Sequence, residues 1–141
     1  MDMTDTEKQN LLNVAPYFIV ENVSETVEFY TKKLGFKIDW IGEGLLFAII
    51  SRGEVSLMLR QLKKKGFTRP NRLAHVEAGW HTDGAFAWDA YIWVENADEL
   101  FLEFKENSVN IIRPLENSEY GNRDFEIEDN NGYILCFGHS L

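Results

Sequence analysis

The side chains that most often carry nucleophilic or metal chemistry are scarce here: three histidines and one cysteine in 141 residues. His75 and His81 fall in a stretch punctuated by Gly, Asn and Asp, and His139 falls near the end. No pair of them has the helical or hairpin spacing that a metal would need. No Ser-His-Asp or Cys-His grouping occurs at local spacing. There is no Gly-rich phosphate loop and no dinucleotide fingerprint. Cys136 sits in an apolar run, so an inert buried thiol is expected there rather than a nucleophile. The chain offers aromatic rings beside carboxylates instead. The segment at 89–94 alternates Asp89, Tyr91 and Trp93 with Ala90, Ile92 and Val94, and Asp124 and Glu126 alternate with Phe125 and Ile127. Alternate residues of a strand share a face, so each segment has one aromatic or acidic face and one apolar face. Rings stack on planar heterocycles and attract cations, and carboxylates form charge-assisted bonds to amines. This is the chemistry of binding rather than of bond-making.

Composition sets the bounds. The length fits one domain, and 45% hydrophobic with 26% charged residues exclude disorder and a membrane span. The longest apolar run, Leu45 to Ile50, is far too short to cross a bilayer. A net charge of −9 repels phosphate backbones, and Lys63-Lys64-Lys65 is too small a basic patch for nucleic-acid binding. The polar start has no basic segment followed by an apolar run, and a single cysteine fits a reducing compartment. A soluble, cytoplasmic protein is expected.

The elements that would position these residues come in two copies. APYFIVENVSETVEFY at 15–30 aligns with DAYIWVENADELFLEF at 89–104, at an offset of 74 with Val-Glu-Asn shared. Two copies at so long a period indicate a duplicated half-domain. Each copy opens as a strand, Tyr17 to Val20 and Tyr91 to Val94, and turns into a helix. Ser24 and Asp98 stand where N-caps are expected. Val23, Val27, Tyr30 and Leu34 form one apolar helix face, as do Ala97, Phe101 and Phe104. Gly35 stops the first helix. FAIISRGEVSLML at 47–59 aligns with FEIEDNNGYILCF at 125–137, each as strand, turn, strand, with Arg52-Gly53 and Asn131-Gly132 as the turns. A further strand fits Phe36 to Ile41 and Asn110 to Arg113. The expected class is therefore α+β, two βαβββ modules over about 13–61 and 87–139. Together they form one domain, 13–141, preceded by an extension, 1–12. Residues 61–86 are read as the connecting loop.

These segments resemble the glyoxalase/bleomycin-resistance/dioxygenase (vicinal-oxygen-chelate) superfamily, and most of all its bleomycin-resistance proteins. The resemblance rests on VAPYFIVENVSETVEFYTKKLGF, WDAYIWVENADELFLEF and EYGNRDFEIEDNNGYILCF, and covers about residues 13–138. It implies a curled mixed sheet with helices on its convex side. It also implies a homodimer with ligand grooves at the subunit interface, the Pro16 region leaning on the partner. The superfamily's enzymes carry four metal ligands on four strands. Those positions here hold Ala15, Met58, Asp89 and Cys136, a set without enough compatible donors. No metal, no other cofactor and no catalytic residues are expected.

With Asp89 directed into the cup, strand parity adds Tyr91 and Trp93, then Met58 and Arg60, then Asp124 and Glu126. The resemblance adds Trp40 and Tyr120 near the groove. Arg60 and Arg123 are the cations available to pair a carboxylate. The expected function is metal-independent sequestration of a planar or cationic aromatic molecule, such as a bleomycin-type antibiotic. Two alternatives remain open: a lyase or dioxygenase-type enzyme of the same superfamily, and a structural or regulatory dimer with a vestigial pocket.

Overall fold

The computed structural model describes residues 9–64 and 70–141; residues 1–8 of the extension and Lys65 of the basic cluster lie outside them. The first module runs β1 (Tyr17–Val20), α1 (Val23–Lys33), β2 (Lys37–Ile41), β3 (Phe47–Arg52) and β4 (Val55–Gln61). The connection carries α2 (Pro70–Glu77) and a 3-10 turn at Trp80–Asp83. The second module runs β5 (Ala90–Trp93), α3 (Ala97–Glu106), β6 (Asn110–Asn117), β7 (Asn122–Glu128) and β8 (Ile134–Ser140). Among the described residues these form two four-stranded sheets, ordered β1-β4-β3-β2 and β5-β8-β7-β6. In each, the first strand lies parallel to the last and the other pairings are antiparallel. This is the expected α+β pair of βαβββ modules.

The apolar stripes account for the core. Val23, Val27, Tyr30 and Leu34 of the first helical segment, and Ala97 and Phe104 of α3, are buried. They meet the helix-facing sides of both sheets, among them Leu57, Leu59, Phe125 and Ile127, in one cluster that spans both modules. Gly35 takes φ +73°, the left-handed conformation that ends a helix without a Cβ penalty.

Four local readings are corrected. The helix caps are Asn22 and Asn96, not Ser24 and Asp98: each asparagine side chain accepts from the amide three residues on, at 2.8 and 3.0 Å. Both helices therefore start two residues earlier than a Ser or Asp cap would place them. The first hairpin turns on Gly53-Glu54, between the paired Arg52 and Val55. The second needs the five residues 129–133, because its last paired residues are Glu128 and Ile134. The connection is not a bare loop, since Pro70–Glu77 is helical. Finally, β6 runs four residues beyond Arg113, to Asn117, with register shifts on both sides of Arg113.

Candidate ligand site

Strand pairing writes the second module's open face row by row. One row across the sheet is Tyr91, Cys136, Glu126 and Arg113; the next is Trp93, Gly138, Asp124 and Glu116. Phe125 and Ile127, on the other side of β7, are buried in the core as alternation requires. The exception is Arg113. Ile111 pairs with the core residue Ile127, so simple alternation would turn Arg113 toward the core as well. The register shift between them pairs Arg113 with Glu126 instead and moves the guanidinium to the open face.

There it ties the floor together. Arg113 Nη2 donates to Asp124 Oδ1 at 2.5 Å, and Arg113 Nε donates to Glu126 Oε2. Asp124 is fully buried and Glu126 nearly so, and neither stands at an open rim. The rings roof them. Tyr91 donates to Asp124 Oδ2 at 2.9 Å, Tyr120 donates to the same oxygen, and Trp88 donates to Glu126 Oε1 at 2.8 Å. Asn122 donates in turn to the Tyr91 hydroxyl at 2.8 Å. Tyr91 has ring contacts with Trp88, Trp93 and Tyr120, at centroid distances of 5.2, 5.1 and 6.3 Å. The approach is close enough to require glycine at one point. A Cβ on Gly138 would stand 2.1 Å from the Tyr91 hydroxyl and 2.6 Å from the Asp124 Cβ.

Trp88, Tyr91, Trp93, Tyr120 and Asn122 line an open cavity of about 300 Å³, with the carboxylates directly behind the rings. One guanidinium against two buried carboxylates leaves the floor negative. Burial works against the charge on Asp124, but bonds from Tyr120, Arg113 and Tyr91 outweigh it and hold the carboxyl below its usual range. Burial also opposes the Arg113 charge, and Glu126 and Asp124 more than offset that, raising the guanidinium's affinity for its proton. The Tyr91 hydroxyl is pushed up to about 12 by burial, opposed by Asn122 and aided by Asp124. Tyr120 is raised by burial and then by Asp124. At neutral pH Asp124 and Arg113 are thus held charged under protonated phenols.

The residues expected from sequence fall into two groups. Tyr91, Trp93, Tyr120, Asp124 and Glu126 come together. Trp40, Met58 and Arg60 lie on the open face of the first module: Arg60 donates to the Tyr17 hydroxyl at 3.0 Å and stacks on Phe47, and Trp40 contacts Phe47. Among the described residues no hydrogen bond, ion pair or ring contact joins them to the group around Tyr91. Asp89 accepts from the Ile134 amide at 2.8 Å. Arg123, expected as a possible partner of these carboxylates, pairs with Asp98 at 3.0 Å, so the partner is Arg113. His139 lies in β8, where its Nδ1 accepts from the Ala97 amide at the start of α3. Sequence reasoning missed Trp88, Arg113 and Asn122. Trp88 sits one residue before β5's alternation begins to be readable, and the Arg113 bulge has no sequence mark beyond the following Pro114.

The chain belongs to the glyoxalase/bleomycin resistance protein/dioxygenase superfamily, whose family model matches residues 11–137. Solved structures share the fold at low identity. TioX from Micromonospora sp. ML1 superposes with a TM-score of 0.66 at 16% identity, covering 92% of this chain and 97% of that one. The bleomycin-binding protein of bleomycin-producing Streptomyces verticillus, complexed with copper(II)-bleomycin, gives 0.63 at 21%, covering 94% and 97%. A glyoxalase-related enzyme from Clostridium phytofermentans gives 0.66 at 16%, covering 93% and 96%. No curated protein sequence matches the chain.

The metal that superfamily enzymes bind does not fit the residues present. Of the four corresponding positions, Ala15 has no donor and Met58 only a thioether. The Asp89 carboxylate is engaged by a backbone amide. Burial, then Asp124 and Glu126, hold the Cys136 thiol well above its ordinary value, against the thiolate that a metal takes. Among the described residues no three His, Cys, Asp or Glu side chains are grouped to hold a metal ion.

Proposed function

We propose that this protein binds and sequesters a planar, cationic aromatic molecule, in the manner of an antibiotic-resistance protein, without a metal. The observation that carries the reading is the acid-floored aromatic cavity around Tyr91. Its rings present π faces, its floor carries excess negative charge, and its donors and acceptors are fixed in place before any ligand arrives. A preorganised site loses little affinity to ordering. The Streptomyces protein with the same fold binds copper(II)-bleomycin, which makes bleomycin the first compound to titrate.

The same reading includes a homodimer. A 300 Å³ cavity is at the small end for a drug-sized molecule, and Trp93 and Tyr120 are more than half exposed at its lip. The first module offers a second exposed aromatic surface, with Tyr17 at 52% and Trp40 at 55%. Patches of this kind mark interaction surfaces. A two-fold pairing that sets the first module's face, with Trp40, Met58 and Arg60, against a partner's cavity would complete the groove.

The test is a tryptophan-fluorescence titration with bleomycin and other aromatic cations. Wild type should quench saturably. Trp93→Ala should weaken binding while leaving the melting temperature nearly unchanged, because this ring is largely exposed. No quenching and no thermal shift with any of these compounds would leave the vestigial-pocket reading. Stoichiometric metal in the purified protein, with turnover, would favour the enzyme.

A further inference from the structure

We propose that the open junction between the two modules is a second small-molecule site, shaped for an arylalkylamine: a ring bearing a hydrogen-bond donor and, on a short tether, a positive charge. This junction shares only Trp93 with the cavity around Tyr91. The internal repeat makes the modules meet at two related junctions and fills only one of them.

At the filled junction, loop 129–133 is a plug. The Tyr133 ring stacks on Phe18, centroids 4.2 Å apart and planes within 7°, and its hydroxyl donates to the Ile19 carbonyl at 2.7 Å. Asn131 donates to Thr26 Oγ1 at 2.9 Å, and Asp129 accepts from Tyr30 at 2.6 Å. The offset of 74 carries Phe18, Ile19, Thr26 and Tyr30 onto Ile92, Trp93, Leu100 and Phe104. Leu59 pairs with Phe18 as Phe137 pairs with Ile92, which puts Val55 in the place of Tyr133. The facing hairpin is also shorter, with Gly53-Glu54 alone between its last paired residues. A five-residue plug with an aromatic ring has become a two-residue turn and a valine.

What remains is a cavity of about 600 Å³, walled by Val55, Ile92, Leu100 and Phe104 among others. That volume lies within the range of small-molecule pockets. The Trp93 carbonyl, counterpart of the one that Tyr133 caps, receives no side-chain donor among the described residues. The cavity's edge also carries Glu54, Glu95 and Glu99, none of which has an ion-pair partner among the described residues. The one cation in the lining, Arg52, is already held by both oxygens of Glu103, at 2.7 and 2.9 Å. The occupant called for supplies what Tyr133 supplies at the sister junction, and brings a positive charge for the acidic mouth.

The probe is tyramine, titrated into ¹⁵N-labelled full-length protein. The amides of Gly53, Glu54, Val94 and Leu100 should shift saturably. Val55→Tyr returns the missing ring from the chain itself. It should raise the melting temperature and weaken tyramine at those amides on the order of tenfold or more. Should that variant not fold, the exposed pair Glu54→Lys with Glu95→Lys reverses the mouth charge and should produce the weakening alone. Trp88→Ala, which alters only the other cavity, should leave the junction shifts intact. The proposal falls if tyramine moves none of these amides. It falls if folded Val55→Tyr binds as wild type does. It also falls if the same amides move on diluting the protein rather than on adding tyramine, since a second copy of the chain would then be the occupant.

Discussion

Arg113 is the single cation beneath the aromatic cavity, and its removal strands two buried acids. Arg113→Met should destabilise the protein by about 3–5 kcal/mol, the usual cost of breaking a buried pair from one side. Asp124→Asn with Glu126→Gln in the same chain should recover much of that loss, and urea unfolding of the three proteins measures both. Gly138→Ala should disturb the site without touching the core. The added methyl collides with the Tyr91 hydroxyl, so the near-UV signal of the tyrosine–tryptophan cluster should change, at a cost of roughly 1–3 kcal/mol. The network also predicts a pH profile. Asp124 titrates below its ordinary value when folded, so its contribution is complete above about pH 4 and is lost as pH falls through the lowered folded value. Tyr91 titrates at about 12 when folded, so its contribution is complete below about pH 10 and is lost as pH rises toward that value. The contribution of these two groups to the melting temperature should be constant between those edges and fall outside both. In Asp124→Asn the acid edge should shrink. An acid edge unchanged in that variant would place the acid-labile group elsewhere. At this scale the sequence was half legible. Alternation put Asp124, Glu126, Tyr91 and Trp93 on the open face, but it could not announce the bulge that brings Arg113 to them.

The elements were more readable than their ends. Two strands leading into two amphipathic helices follow from the 74-residue repeat, and the 3.6-residue pattern selects the buried helix residues except Thr26, with Phe101 only partly buried. The caps were misplaced by two residues because Ser24 and Asp98 are also good capping types. What decides is the geometry: Asn22 and Asn96 have extended backbone and side chains that reach the amide three residues on. Asn22→Ala should therefore cost about 0.5–2 kcal/mol and Ser24→Ala much less. Equal losses in thermal melts would reverse the assignment. The hairpins diverged for a related reason. Turn residues such as Asn131-Gly132 signal a reversal, but the bonds of Asp129 to the Asn131 and Tyr133 amides select the longer loop. That choice supplies Tyr133 to one junction, while the short Gly53-Glu54 turn leaves the other open.

At the scale of the whole molecule, the superfamily fold was legible because three long motifs and an internal duplication agree on it. How the two open faces combine was not legible, because parity assigns a residue to a face and not one face to another. Trp40, Met58 and Arg60 consequently sit on a surface separate from the cavity around Tyr91. In the dimer proposed here they approach a partner's cavity. Light scattering at micromolar concentration should report a dimer, and Trp40→Glu, which puts a charge on the proposed contact face, should shift it toward monomer. Calorimetric titration with bleomycin asks whether the acid-floored aromatic cavity takes a cationic aromatic ligand. One site per chain is expected, micromolar or tighter, weakened in Trp93→Ala and in Trp88→Ala. Binding that both variants retain at full strength, or no heat and no thermal stabilisation with bleomycin or any other aromatic cation, would contradict it.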